Sequence, residues 1–270
     1  EDLVTDWVLP YSQITREMVD WVGGKNASLG EVLNRVGLPI PRGFAITTHA
    51  YRAFLAYSDL VDEINRRKMD LNPQDPQTVK EVSDEIRGLI VRARVPPELE
   101  EAIGQAYREL NKAVAASSAG TSPVRVSLRS SAVGEDSEFS FAGQYLTVLN
   151  VSGDGLLQAY REVVASLYTP QAMSYRLNRG IRDEDASMSV ACLEMVDSRA
   201  SGVMYSHHPY DRTEDTIFIN AVWGLGPYAV EGVITPDTYR VAKDEALTIL
   251  STEVVRKPVQ LVRGEARGLK

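Results

Sequence analysis

Three alternating apolar residues, Val124, Val126 and Leu128, end on Arg129 and give way to small residues, Ser130-Ser-Ala132 and Gly134. Alternation of this kind reads as a half-buried strand. Its end delivers a guanidinium to a loop whose backbone N–H groups can turn toward an anion. The carboxylates Glu135 and Asp136 follow, then Ser140-Phe-Ala-Gly-Gln144. An arginine, several hydroxyls and a small-residue loop directly after a strand make the chemistry of a phosphate site. Arg129 offers a planar fork for two phosphate oxygens, which lysine cannot mimic. The other reading of Arg129 is an ion pair with Glu135 or Asp136 that ties the loop down.

A second cation is placed by different means. Residues 24–36 carry a helical stripe of Ala27, Leu29, Val32, Leu33 and Val36, closed by Gly37 with Pro39 beyond. Lys25 therefore lies in the first turn after two glycines, where its ammonium and the helix N-terminus can address the same anion. A solvated lysine after a simple turn fits the same residues. The spacing is not that of a Walker A loop.

Elsewhere the pattern alternates between helices and strands. A short strand is predicted over 44–47, with Thr48 as N-cap of a helix over 49–57. Residues 60–119 are charged and helix-periodic, broken at Pro73, Pro76 and Pro96-Pro97, giving two or three surface helices. A small-residue connector over 115–123 leads into the strand-rich part. Further strands are predicted over 144–151, 187–195, 200–205, 216–222 and 238–241, and helices over 156–167 and 170–179. Residues 251–270 read as a basic connector. Cys192 sits in an apolar run and reads as buried rather than reactive. His207-His208 follows a strand and reads as loop, since adjacent histidines point apart and rarely share one metal.

The chain has 270 residues, 44% of them apolar, enough for a packed core. Its formal net charge of −8 argues against nucleic acid or an anionic membrane as the main partner. No run approaches the ~20 apolar residues of a membrane span, and no signal pattern opens the chain, so a cytoplasmic location is expected. Glu1 in place of Met reads as a processed or omitted start. No Cys/His set has metal-ligand spacing, and no metal-ligating residue is assigned.

The blocks Arg129-Ser-Ser-Ala132, Glu135-Asp136 and Ser140-Phe-Ala-Gly-Gln144 are joined in order by Val22-Gly-Gly-Lys-Asn-Ala-Ser-Leu-Gly-Glu31, Ala200-Ser-Gly-Val-Met204, Trp223-Gly-Leu-Gly226 and Thr235-Pro-Asp237. Together they resemble the nucleotide-binding domain of the phosphoenolpyruvate synthase and pyruvate phosphate dikinase family, which includes the rifampicin phosphotransferases. The resemblance implies an α/β (α+β) fold of ATP-grasp type, two lobes clamping a nucleotide. The first lobe is expected over 1–185 and the second over 186–270, incomplete at its C-terminus and lacking the family's later Asp-Ile-Glu-Trp and Gln-Ser-Arg-Pro blocks.

The resemblance also implies residue roles. Lys25 and Arg129 contact the phosphates of ATP. Ser140, Ala142, Gly143 and Gln144 belong to the phosphate-covering loop, Gly143 allowing close backbone approach, and Thr147 lies near the phosphates. Leu193, Glu194 and Val196 form a hinge that reads adenine, largely through backbone; an ordinary core strand with Glu194 at its edge is the other reading. Between Asp136 and Ser140 the chain is one residue shorter than the usual family spacing. Pro227 stands where the family has Glu, and Glu231, one turn on, is a gained carboxylate. The implied activity is a dikinase using ATP and Mg²⁺, which passes the β-phosphoryl group to a histidine on a separate swivelling domain and then to pyruvate on a third. The competing expectations are a non-catalytic nucleotide-sensing module and a member with a non-pyruvate acceptor.

Overall fold

The computed structural model describes residues 6–117, 123–133, 145–211 and 213–264. They form two compact units, up to Met195 and from Val196. Each unit is built on one antiparallel sheet.

The first sheet has strands β1 (Val8–Pro10), β2 (Gly43–Ile46), β3 (Val126–Ala132), β4 (Thr147–Val151) and β5 (Met188–Glu194), in the order β1-β2-β5-β3-β4. Successive side chains of a strand point to opposite faces, and the register sorts the residues accordingly. Phe44, Ile46, Val126, Leu128, Val148, Val190 and Cys192 point to one face and share its core with helices. Those helices are α2 (Thr48–Tyr57), α3 (Leu60–Lys68), α4 (Pro76–Arg92), α5 (Pro97–Ala115), α6 (Leu156–Ala165) and α7 (Pro170–Arg179). Phe54, Ile86, Ile90, Leu99, Ile103 and Tyr160 are buried there. The other face presents Ala45, Ala191 and Leu193, covered by Val22 and Ala27 of α1 (Val19–Glu31) and by Leu9, Tyr11 and Ile14.

Several expectations are changed by this packing. β5 lies in the middle of the first sheet, between β2 and β3, so the first unit runs past the boundary expected near Asp185. The N-cap of α2 is Thr47, whose hydroxyl accepts the Ala50 N–H at 3.3 Å; Thr48 is already helical and donates to Asp20 O at 2.9 Å. The helical segment over 60–115 is three helices, and α4 and α5 are core elements as much as surface ones. Helix α1 opens at Val19, earlier than the stripe suggested, and after Glu31 the chain makes one wide turn over Val32–Val36 before Gly37 (φ 74°) ends it. Cys192 is buried, and burial pushes its thiol well above the usual range.

The second sheet is a meander of β6 (Ala200–Tyr205), β7 (Thr216–Trp223), β8 (Asp237–Ala242) and β9 (Ile249–Glu253), with the short helix α8 (Pro227–Glu231) between β7 and β8. β9 corrects the expectation of a plain connector from 251 onward: its first half precedes that stretch and it pairs with β8. Asp237 anchors the segment that follows. Its carboxylate pairs with Lys257, whose side chain is 2% exposed, and accepts the Val255 N–H at 2.9 Å. The Lys257 ammonium and that N–H hold the Asp237 carboxyl below the usual carboxylate range. Among the described residues no helix is long and apolar enough to cross a membrane.

A carboxyl depressed by its folded partners stabilises the fold fully above its unfolded pKa, and loses that contribution as pH falls through the folded value. Acidification below about pH 4 should therefore loosen β8. Asp237→Asn should lower stability at neutral pH, since it removes the charge that the Lys257 ammonium meets and leaves that ammonium with Val255 O. Amide hydrogen exchange in β7 and β8 checks both: protection should fall in the variant and become less acid-sensitive than in the parent.

Candidate functional site

The candidate site is built on a backbone contact. Gly23 has φ 73° and ψ 165°, and it splits α1 into two helical pieces. A Cβ there would lie 2.1 Å from Ser131 O, so only glycine lets the helix start this close to the end of β3. The second piece begins at Gly24, which puts Lys25 in its first turn as the sequence suggested.

The next residue locks this approach. Asn26 is fully buried. Its Oδ1 accepts the Tyr11 hydroxyl at 2.6 Å, and its Nδ2 donates to Val22 O at 3.0 Å and Ser189 Oγ at 3.1 Å. Its backbone N–H donates to Ser131 Oγ at 3.2 Å, and that hydroxyl donates to Val22 O at 2.9 Å. Ser189 Oγ donates in turn to Ile46 O at 2.7 Å. Every buried polar atom of the asparagine side chain is thereby used, which is the condition for such a group to stabilise rather than cost. Burial raises the Tyr11 phenol well above its usual range, so it stays a neutral donor.

Strand register then decides which of the expected residues share a face. Arg129 is opposite Thr147 on β4 and Ala191 on β5. All three stand on the face that α1 covers in part, and Arg129 and Thr147 are exposed there. Lys25 belongs to the helix on that same face and is half-buried. Leu193 also points to it, but is buried among Leu9, Tyr11 and Ala45. The structure thus brings Lys25, Arg129 and Thr147 to one side of one sheet. Ser140, Ala142, Gly143 and Gln144, with Glu135 and Asp136, lie outside the described residues.

The segment from Glu194 to Val196 behaves differently. Glu194 pairs with Val126, so its side chain points to the helical-core face, away from Arg129. Its Oε2 is buried and has no hydrogen-bond partner among the described residues. The Glu194 N–H donates to Arg42 O and the Met195 N–H to Arg125 O, both at 2.8 Å. Val196 opens the second unit and is 51% exposed.

In the second unit the glycine block is also a close approach. Gly224 has φ 76°, a Cβ there would meet Leu261 O at 2.2 Å, and the Leu225 N–H donates to that same oxygen at 2.8 Å. Pro227 is the first residue of α8 and Glu231 its last, one turn apart and on a shared face. His207 pairs through Nε2 with Asp215 at 3.0 Å, whereas His208 Nδ1 accepts the Asp211 N–H at 3.0 Å. The two imidazoles have different partners and lie in the loop after β6. Among the described residues no group of three His, Cys, Asp or Glu side chains could hold a metal ion.

Sequence reasoning missed Asn26, Ser131, Ser189 and Tyr11. One signal was available: Asn26 lies four residues after Val22 and beside Ala27, on the helix stripe that must be buried. A polar residue on such a stripe needs partners.

The family model described as "Pyruvate phosphate dikinase, AMP/ATP-binding domain" matches residues 19–269. A probable phosphoenolpyruvate synthase of Staphylothermus marinus is 40% identical over 95% of this chain, and a phosphoenolpyruvate synthase of Aeropyrum pernix is 40% identical over 93%. One from Neisseria meningitidis serogroup B is 37% identical over 89%. The chain spans 30%, 30% and 31% of the lengths of these three relatives. With the match running through both units, the chain belongs to the pyruvate phosphate dikinase AMP/ATP-binding domain family.

Proposed function

We propose that this chain is the ATP-binding portion of a phosphoenolpyruvate synthase-like dikinase, in which the β-phosphoryl group of ATP passes to a histidine on a separate swivelling domain and then to pyruvate. The observation that carries the reading is the backbone approach of Gly23 to Ser131, which sets Lys25 on the sheet face that exposes Arg129 and Thr147. Two cations of different geometry on one face suit a polyphosphate: the guanidinium forks two oxygens, and the ammonium acts as a compact charge. Phosphoryl transfer asks mainly for positioning and for neutralisation of developing charge. In this reading Lys25 and Arg129 hold the phosphate oxygens, Thr147 offers a hydroxyl beside Arg129, and Ser140, Ala142, Gly143 and Gln144 cover the phosphates. The similarity to proteins named phosphoenolpyruvate synthase supports pyruvate as final acceptor.

Mg²⁺ enters the proposal through the charge of the triphosphate. The described residues offer no group of three His, Cys, Asp or Glu side chains to hold it. The adenine contact falls to the backbone of the 193–196 segment, because the Glu194 side chain stands on the opposite face from Arg129. The partners implied are ATP and the phosphohistidine and pyruvate-binding domains, in the cytoplasm.

Removing one charge-assisted phosphate contact should cost about 1.5–3 kcal/mol, or roughly 10- to 150-fold in affinity. Calorimetry of ATP binding to Lys25→Ala and Arg129→Ala is expected to show losses of this size. Unchanged affinity in both variants would sink the assignment. For the adenine contact, Glu194→Gln should leave ATP affinity within a few-fold, while Val196→Pro, which removes an N–H, should weaken it strongly. The reverse outcome in folded variants would mean that the Glu194 carboxylate, not the backbone, reads the base.

A further inference from the structure

A cleft of about 580 Å³ opens in the first unit between α2, α3 and the segment leading into β5. Its size is that of a small-molecule site. Val61, 49% exposed, gives it an apolar side, with the buried Leu55 and Ile64 behind it, and Tyr51 and Tyr168 also line it. The polar side is charged. Arg52, Lys68 and Arg182 line it together with Asp183 and Glu184.

The pairing of these charges leaves one over. Lys68 meets Asp183 at 2.8 Å, and the buried Arg176 reaches the other oxygen of the same carboxylate at 3.4 Å while donating to Leu167 O at 2.6 Å. Arg182 pairs with Glu184 and, through Nε and Nη2, with Asp185 at 2.9 and 3.0 Å. Three cations and two carboxylates line the cleft, and Arg176 and Asp185 behind them add one of each, so a single positive charge remains in either count. It falls to Arg52, an exposed residue whose Nη2 donates to a neutral group, the Ser187 hydroxyl, at 3.3 Å.

We infer that this cleft binds an amphipathic monocarboxylate, with the carboxylate on the Arg52 fork and an apolar or aromatic body against Val61, Leu55 and Ile64 lying behind it. The guanidinium fork matches a carboxylate bidentately. One surplus positive charge matches one negative charge. A phosphate monoester carries about −1.5 to −2 at neutral pH and would sit beside Asp183 and Glu184 with its second charge unmatched. The apolar wall excludes a small hydrated anion as the best fit, because such an ion leaves that surface uncovered. The Ser187 carbonyl accepts the Val133 N–H at 2.9 Å, so the occupant would rest beside the end of β3, at a residue different from those assigned to ATP.

Phenylacetate is the probe, with phenyl phosphate and phenylacetamide as comparison arms, followed by chemical-shift changes in the intact chain. Saturable shifts of α2 and α3 amides by phenylacetate are expected, with weaker binding of phenyl phosphate and none of phenylacetamide. Arg52→Gln should weaken phenylacetate binding at least about tenfold, and Val61→Glu, which sets a carboxylate in the cleft, should abolish it; both sites are exposed, and an unchanged unfolding midpoint checks the fold. Absence of saturation by phenylacetate at roughly 10 mM, tighter binding of phenyl phosphate, or full retention in folded Arg52→Gln would each overturn the proposal. ATP affinity of Arg52→Gln should be unchanged, which separates this cleft from the nucleotide site.

Discussion

The contact between Gly23 and Ser131 fixes more of this protein than any other. A backbone carbonyl at the end of a strand occupies the space where a side chain at position 23 would be. The chain answers with a glycine in a conformation that other residues rarely adopt, and then with an asparagine that closes the gap by hydrogen bonds to helix, strand and hydroxyl neighbours. Without the glycine the helix would stand off the sheet. Without the asparagine the buried Tyr11 hydroxyl would lose the acceptor it donates to, at a cost of order 1–3 kcal/mol. The cations proposed to bind phosphate stand on elements that this lock joins, so core packing contributes to their relative placement.

The same logic organises the second unit. Gly224 lets the backbone of Leu261 approach, as Gly23 does for Ser131. Asp237 ties down the segment after β9, its carboxylate taking the Lys257 ammonium and the Val255 N–H. Two glycine-containing motifs of the sequence are thus places where two backbones meet.

Much of this was legible in the sequence where a local rule sufficed. Helix α7 begins at Pro170 and ends before Gly180 in the left-handed conformation, both of which are punctuation that can be read directly. Strand β3 announced itself by alternation, and Lys25 by the glycines before it. Competing local solutions and distant partners defeated the reading. Thr47 and Thr48 are both competent caps, and the choice is made by Asp20 O, which takes the hydroxyl of the second. Strands β1 and β9 are short edge strands whose identity depends on the neighbour they pair with. Of the expected site, the face shared by Lys25, Arg129 and Thr147 follows from periodicity and register. The turn of the Glu194 side chain toward the helical-core face, away from Arg129, needed the pairing with Val126.

Strand order carries a consequence for how the chain reaches this state. β5, at residues 188–194, is inserted between β2, at 43–46, and β3, at 126–132. The β1-β2 pair and the β3-β4 pair have no hydrogen-bonded edge in common until it arrives. As the polypeptide leaves the ribosome, the helices and both strand pairs are made before β5, each pair with an open edge. Long-range closure of this sort is slow and exposes surfaces that aggregate. The first unit can therefore become cooperative only when nearly all of its residues have emerged, and the last strand to be synthesised is the one that joins its two halves.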